Sequence, residues 1–152
     1  KKGCIKMIGT KQKLLIVSSL VALVLVSGCV APEPGYKVGD VYTKTFNLVP
    51  SESVSEDTDF SDEKVTYIYK IYGIYTVSGE EIAGNQEQLS SVSSGVAIPV
   101  TVSYTIEPTT PKGKLIAMAA IVRIDGTYDK TSDQWAWSYK VLAKEGEALN
   151  VG

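Results

Sequence analysis

Lys64 to Val77 reads KVTYIYKIYGIYTV, and the fold class follows from this stretch. Its apolar residues alternate between two sides with the period of two that a β-strand imposes. Aromatic and β-branched residues, which favour strands, dominate it. Because both sides are apolar, the pattern predicts a central strand, or a strand with a partner beyond the domain. Gly73 interrupts the pattern and predicts a bulge or a bend.

Val96 to Ile106 is a second predicted strand, and only one of its sides is apolar. A strand that is buried on one side and wet on the other is typical of an antiparallel sheet. Pro99 has no N–H to donate to a neighbour, so we predict that this strand lies at an edge or is bulged there. Ser103 is predicted to face solvent. The predicted buried side consists of Val96, Ile98, Val100, Val102, Tyr104 and Ile106.

Leu115 to Ile124 reads LIAMAAIVRI and is almost continuously apolar. Its alanine, leucine and methionine content favours a helix. We predict a strand instead, because Pro111 and Gly113 precede the stretch and turn residues follow it. Those turn residues are Asp125-Gly126, a strong signal for a type I′ hairpin turn.

The remaining segments complete an all-β chain. The polar segment between Val77 and Val96 is predicted as a loop, or as a short strand with a turn. Six or seven strands in about 120 residues predict an antiparallel β-sandwich, immunoglobulin-like, that follows an N-terminal signal helix. The cysteine–tryptophan–cysteine hallmark of immunoglobulin domains is absent, and a small barrel is the alternative. The other predicted strands are Val41 to Val49, Trp135 to Lys144 and a short last one at Ala148 to Val151.

Composition and charge exclude several classes of function. The chain has 152 residues, which suits one domain, and it has no histidine, so an imidazole base or a histidine metal ligand is excluded. Of its 15 basic residues, five lysines precede the first long apolar run. Ten basic residues therefore remain beside all 17 acidic ones from Cys29 onward, a net charge of −7. This negative charge from Cys29 onward disfavours nucleic acid as a partner.

Lys11 to Cys29 reads KQKLLIVSSLVALVLVSGC and has the organisation of a secretory signal peptide. Basic residues come first, an apolar run from Leu14 to Val26 follows, and small residues precede the cysteine. As a helix, the 13 residues of the apolar run span about 20 Å, less than the ~30 Å hydrocarbon core of a membrane. The alternative is a transmembrane anchor from Leu14 to Ala31.

The last four residues of this segment, Val26 to Cys29, read VSGC and resemble the lipobox of prokaryotic lipoproteins. The resemblance covers the first fifth of the chain. It implies diacylation of the Cys29 thiol, cleavage before that residue, and a mature protein held by lipid on the outer side of the cytoplasmic membrane or in the envelope.

The chain is predicted to have three parts. Residues 1–28 are a signal peptide, and residues 1–6 are upstream translation if Met7 is the start. Residues 29–35 form a lipid-anchored tether, whose prolines and glycine give no periodic pattern. Residues 36–152 form the β-sandwich domain.

Two groups of residues suggest a ligand. The acidic segment, Ser51 to Glu63, holds six carboxylates, and the oxygens of Asp57, Asp59 and Asp62 are weak calcium candidates. The spacing resembles the start of an EF-hand loop, but the sixth position lacks glycine and the twelfth is Ile68. We therefore predict a solvated loop and no metal.

Trp135 and Trp137 share one side of a predicted strand beside Asp133. Exposed indoles next to polar groups can stack on sugar rings, as in β-sandwich carbohydrate-binding modules. The alternative is core packing, because large aromatic side chains usually bury their area. The aspartates of the segment from Asp125 to Asp133 are also what a hairpin loop needs.

The chain lacks the motifs of an enzyme. No serine lies in a Gly-x-Ser-x-Gly motif, and Gly113-Lys114 lacks the rest of a phosphate loop. We predict a lipid-anchored, non-catalytic protein of the envelope or cell surface that uses no cofactor and binds a protein or a polysaccharide. The alternatives are a carbohydrate- or calcium-binding module and a small hydrolase that uses two carboxylates.

Overall fold

The computed structural model describes residues 16–21 and 35–152. Residues 16–21 are helical and are called α1 here. One turn of 3-10 helix, η1, spans Phe60–Asp62. Eight strands make up most of the described chain: β1 (Val41–Leu48), β2 (Val54–Ser55), β3 (Lys64–Thr76), β4 (Glu81–Leu89), β5 (Ser91–Val92), β6 (Ile98–Thr105), β7 (Gly113–Asp129) and β8 (Gln134–Val151).

The strands form an antiparallel β-sandwich, which confirms the predicted fold class. The larger layer is a four-stranded sheet in the order β4-β3-β7-β8. The second layer is the β1–β6 pair, and β2 and β5 form a further short ladder. We call the side of the four-stranded sheet that packs against β1 and β6 its inner face, and the opposite side its outer face.

The inner face and the β1–β6 pair enclose the first hydrophobic core. Val100 and Val102 of β6 are each 2% exposed, as the alternation predicted. Among the described residues β6 pairs with β1 alone, so Pro99 lies on an edge strand. The solvent side of this pair carries hydroxyl pairs, including one of 3.1 Å between Thr43 and Ser103. The other core members are Tyr42, Phe46, Leu48, Ile68, Ile74, Val92, Ile106, Leu115, Ala117, Ala119, Ile121, Leu142, Leu149 and Val151.

β3 is the central strand that its two apolar sides predicted, because it pairs with β4 on one edge and with β7 on the other. Gly73 lies opposite Gly84 of β4. A Cβ on Gly73 would overlap the carbonyl oxygen of Ala83 and lie 2.8 Å from the Cα of Gly84. Its φ of +154° also favours glycine, and the pairing with β4 shifts register just beyond it, between Ile74 and Tyr75.

The predicted hairpin turn at Asp125-Gly126 is wrong. β7 continues through both residues to Asp129, and the turn comes at residues 130–133. Gly126 is needed inside the strand, because a Cβ there would lie 2.6 Å from the ring of Trp137. Asp125 accepts a hydrogen bond of 2.8 Å from the hydroxyl of Thr66 on β3. Packing between strands therefore explains why Asp125 and Gly126 occupy these positions better than turn chemistry does.

Three other expectations need correction. The polar segment after β3 contains a full strand of nine residues, β4, which is an edge strand and mostly exposed or half-buried. The short last strand at Ala148 is the end of β8, which continues past a register shift opposite Ile121 and Val122. Val96 lies before β6 and is 57% exposed, so it does not belong to the buried side.

Val102→Asp should lower the free energy of unfolding by about 3 kcal/mol or more, because it places an unpaired carboxylate in the core. Ser103→Asp, one residue further on, faces solvent and should change stability by less than about 0.5 kcal/mol. Urea denaturation of the two purified variants measures both values. Equal losses would show that the register of β6 against β1 is wrong.

Gly73→Ala should cost about 3 kcal/mol or more, since the new methyl group meets the backbone of β4 and the φ is unfavourable. Gly95→Ala is the matched control. Gly95 also has a positive φ, +76°, but no other atom lies within 4 Å of the place that a Cβ would take, so only the backbone strain of about 1 kcal/mol applies. If both variants lose the same stability, the close approach of β4 is not what requires Gly73.

Candidate functional site

The outer face of the four-stranded sheet is as apolar as the inner face. In β3 and β7, side chains alternate between the two faces, and both alternating sets are apolar. An antiparallel sheet with two apolar faces needs a cover on each. The buried outer-face residues are Val65, Tyr67, Tyr69, Ile71, Tyr75, Ile116, Met118, Ala120, Val122 and Ile124.

Helix α1 contributes to the cover of the outer face. Ile16, Val17, Leu20 and Val21 are 0–3% exposed and belong to the same buried cluster as the sheet residues, whereas Ser19 is exposed. Residues at positions i, i+1, i+4 and i+5 share one side of a helix, so α1 packs its apolar side against the sheet. In residues 16–21 and 35–152, no helix is long and apolar enough to cross a membrane.

A close backbone contact marks where α1 lies. A Cβ on Gly79, in the turn between β3 and β4, would lie 2.6 Å from the Cα of Ser18. Gly79 has a φ of +90°, so the turn requires glycine for its conformation as well. α1 therefore adjoins the end of the sheet at which β3 ends. The sequence placed these residues in the signal peptide and gave no sign of this contact. Cys29 and the rest of the predicted lipobox lie outside the described residues.

Aromatic rings lie together at the opposite end of the outer face. Trp135 and Trp137 stack on each other with ring centroids 5.7 Å apart, and both are half-buried. Phe60 meets Trp135 edge-on at 5.7 Å, and Tyr67 lies 6.4 Å from Trp137. Stacking turns one ring face of each indole toward the other, which leaves less ring surface for a sugar than two indoles side by side. Both indoles are half-buried, and carbohydrate binding at this pair stays a prediction.

Asp133, the polar residue predicted beside these indoles, lies in the β7–β8 turn. It has a positive φ of 55° and accepts a hydrogen bond from the hydroxyl of Tyr128. In the same turn, Asp129 accepts from the N–H of Thr131 at 2.8 Å and from its hydroxyl at 2.7 Å. These hydrogen bonds lower the pKa of Asp129. Both aspartates are thus engaged in shaping the turn.

The three calcium candidates accept hydrogen bonds from the backbone two residues further on. Asp57 accepts from the N–H of Asp59 at 3.0 Å, and Asp59 from that of Ser61 at 2.9 Å, which lowers the pKa of Asp59. Asp62 accepts from Lys64 at 3.1 Å. These local bonds shape the chain around η1 and into β3. Within the part of the chain that the structure describes, no three carboxylates are grouped so as to hold a metal ion.

Glu52, in the same acidic segment, has two basic partners that the sequence did not indicate. Its carboxylate lies 2.9 Å from the ammonium of Lys140 and 3.1 Å from the guanidinium of Arg123. The two cations lower the pKa of Glu52. Arg123 also contacts Asp125 at 2.9 Å. The one arginine of the chain, set in an apolar strand, was the signal that could have revealed this network.

Tyr75 is the unusual polar group of the outer face. Its side chain is fully buried in the cluster that includes α1, and its hydroxyl has no hydrogen-bond partner within the described structure. Burial raises its pKa well above the usual value, and nearby Glu81 adds to the effect. A buried hydroxyl without a partner destabilises the structure that buries it. The sequence gave no sign of this, because Tyr75 reads as one more aromatic strand residue.

Comparison of the chain with protein-family models, with curated proteins and with solved structures found no match.

Calcium should stabilise the protein no more than an equal ionic strength of sodium chloride. The carboxylates of Asp57 and Asp59 already accept backbone hydrogen bonds, and asparagine oxygens can accept the same bonds. The double variant Asp57→Asn, Asp59→Asn should therefore melt within about 2 °C of the wild type, since surface changes of this kind alter stability little. Thermal unfolding with millimolar calcium or magnesium measures this. A calcium-specific rise in Tm that the double variant loses would instead establish a calcium site.

Proposed function

We propose that this protein is a lipid-anchored, non-catalytic module of the cell envelope or cell surface that binds another macromolecule. The observation that carries the proposal is the second apolar face of the four-stranded sheet. The inner face already forms a closed core with β1 and β6. The outer face adds ten more buried apolar or aromatic residues that this core does not need. If the helix that helps to cover this face leaves with the signal peptide, the exposed apolar surface is typical of a site for a partner.

The proposed location comes from the N-terminal sequence. The basic, apolar and small-residue regions of Lys11 to Cys29 direct export, and the lipobox supplies the thiol for the lipid. Lipid on Cys29 holds the domain near the membrane. The tether of residues 29–35 spans at most about 25 Å, so the domain stays close to the lipid surface.

A binding role agrees better than catalysis with the polar groups of the described chain. The carboxylates of the acidic segment accept turn hydrogen bonds or pair with cations. Once residues 16–21 are removed with the signal peptide, the outer face offers aliphatic and aromatic side chains, which recognise a partner by burial of area. A protein partner fits this chemistry better than a polysaccharide, since Trp135 and Trp137 are stacked on each other.

Cys29→Ser should abolish incorporation of labelled fatty acid and leave an uncleaved precursor in the producing cell. Cys4→Ser is the matched control, because Cys4 precedes the signal peptide's apolar run and should leave labelling and cleavage unchanged. Lipid labelling and the mass of the purified protein measure both. Labelling of the Cys29→Ser variant, or a wild type without lipid, would contradict the proposed anchoring.

A further inference from the structure

Residues 16–21 have two predicted or observed roles that cannot hold at the same time. As part of the predicted signal peptide they leave the chain on cleavage before Cys29, yet in the described structure they are buried on the outer face. We propose that the outer face is a helix-docking surface. α1 occupies it in the precursor, and after cleavage it takes an apolar helix of a partner protein. This inference rests on the proposed function, since it requires the signal peptide to be removed.

Cleavage before Cys29 would remove α1 from the outer face. Ten residues of the sheet are buried in the cluster that α1 joins, and the middle of β7 contributes Ile116, Met118, Ala120 and Val122, none of them measurably exposed. A contiguous apolar patch in contact with water is unusual on a soluble monomer unless it is a binding site. A processed domain therefore needs another cover for this face.

The hydroxyl of Tyr75 also favours a cover that can be exchanged. Under the present cover it is fully buried and lacks a hydrogen-bond partner, which weakens the closed state. Tyr75 belongs to the same buried cluster as α1, so removal of α1 opens that cluster to water. Phenylalanine at this position would fill the same space without the cost of a buried hydroxyl, and would suit a face that stays permanently covered. The tyrosine therefore favours a cover that can be released and exchanged.

The kind of occupant follows from α1 and from charge. The face already accepts a helix with apolar residues at positions i, i+1, i+4 and i+5. In the sequence, Lys11 and Lys13 come shortly before residue 16, and Gly79 is followed by Glu80 and Glu81. A net charge of −7 from Cys29 onward disfavours both a second copy of the domain and an anionic lipid surface. The favoured partner is a protein whose apolar helix has a basic flank.

The test uses the processed wild-type lipoprotein in nanodiscs of zwitterionic lipid, with the uncleaved Cys29→Ser precursor for comparison. The probe is a fluorescent peptide of residues 11–27, and empty nanodiscs correct for its binding to lipid. Fluorescence anisotropy should show saturable binding to the processed protein. The precursor should bind at least about tenfold more weakly, because α1 occupies its face.

Two matched peptides test the helix face. Leu20→Asp puts a charge on the buried side of the helix and should weaken binding by about tenfold or more. Ser19→Asp changes the neighbouring exposed residue and should alter the affinity by less than about twofold. Equal effects of the two substitutions would overturn the proposed docking mode.

Tyr75→Phe in the processed protein tests the unpartnered hydroxyl. Removal of this group should tighten peptide binding by about fivefold or more, because the closed state no longer buries a polar atom without a partner. The matched control is Tyr139→Phe, since Tyr139 is 43% exposed and its hydroxyl can stay in water. An unchanged affinity for Tyr75→Phe would contradict the exchangeable cover.

The remaining outcomes separate this inference from the proposed function. A wild type that is never cleaved would overturn both. A processed, lipid-bearing protein that does not bind the peptide would overturn the docking surface and leave the lipid anchor intact. Dimerisation that blocks the peptide would assign the face to a second copy. Binding of the processed protein to anionic vesicles that contain no other protein, if the peptide competes with it, would assign the outer face to a membrane. Either of these two results would reject a partner helix.

Discussion

The pairing of β3 with β7 is the contact on which the rest of the structure depends. The two strands pair from Lys64 opposite Thr127 to Thr76 opposite Leu115, and each carries apolar side chains on both of its sides. Once the backbones are joined, the sheet presents two apolar faces that water cannot solvate favourably. The β1–β6 pair covers one face, and α1 contributes to the cover of the other.

The same pairing explains why the polar residues take the places they do. Many of the polar side chains lie at strand ends and in turns, and Lys70, in the middle of β3, pairs with Glu87 of the edge strand β4. Arg123 lies in the second half of β7 and joins Glu52 and Asp125 in one network of ion pairs, which connects the acidic segment to the sheet. The acidic residues around η1 accept hydrogen bonds from backbone N–H groups in the same region. What reads in sequence as an isolated charged loop is thus part of the domain's architecture.

The two faces differ in how permanently they are closed. The inner core is continuous with β1 and β6, which lie within the predicted mature domain. The outer cover includes a segment that the N-terminal signal predicts will leave, and it buries the unpartnered hydroxyl of Tyr75. Burial of a polar group without a partner lowers the stability of one arrangement relative to another. In this protein the unpartnered hydroxyl lies on the outer face, whose cover is proposed to change.

The sequence by itself determined the strands whose pattern is local. Apolar residues on both sides of β3 predicted a central strand, or one with a partner beyond the domain, and the first is observed. Alternation placed Val102 inside and Ser103 outside, and Pro99 predicted that β6 is an edge strand or is bulged, of which the edge is observed. All of these follow from the period of two along one strand and from backbone chemistry at one residue.

Only the tertiary structure decided the features that depend on distant neighbours. β4 has few apolar residues and becomes a strand because β3 offers backbone hydrogen bonds along its free edge. Gly126 stands in a strand because the indole of Trp137, on the next strand, fills its side-chain space. The partners of Glu52 and the position of α1 on the outer face also join residues far apart in the chain. No local pattern encodes such contacts, because packing between separate segments selects them.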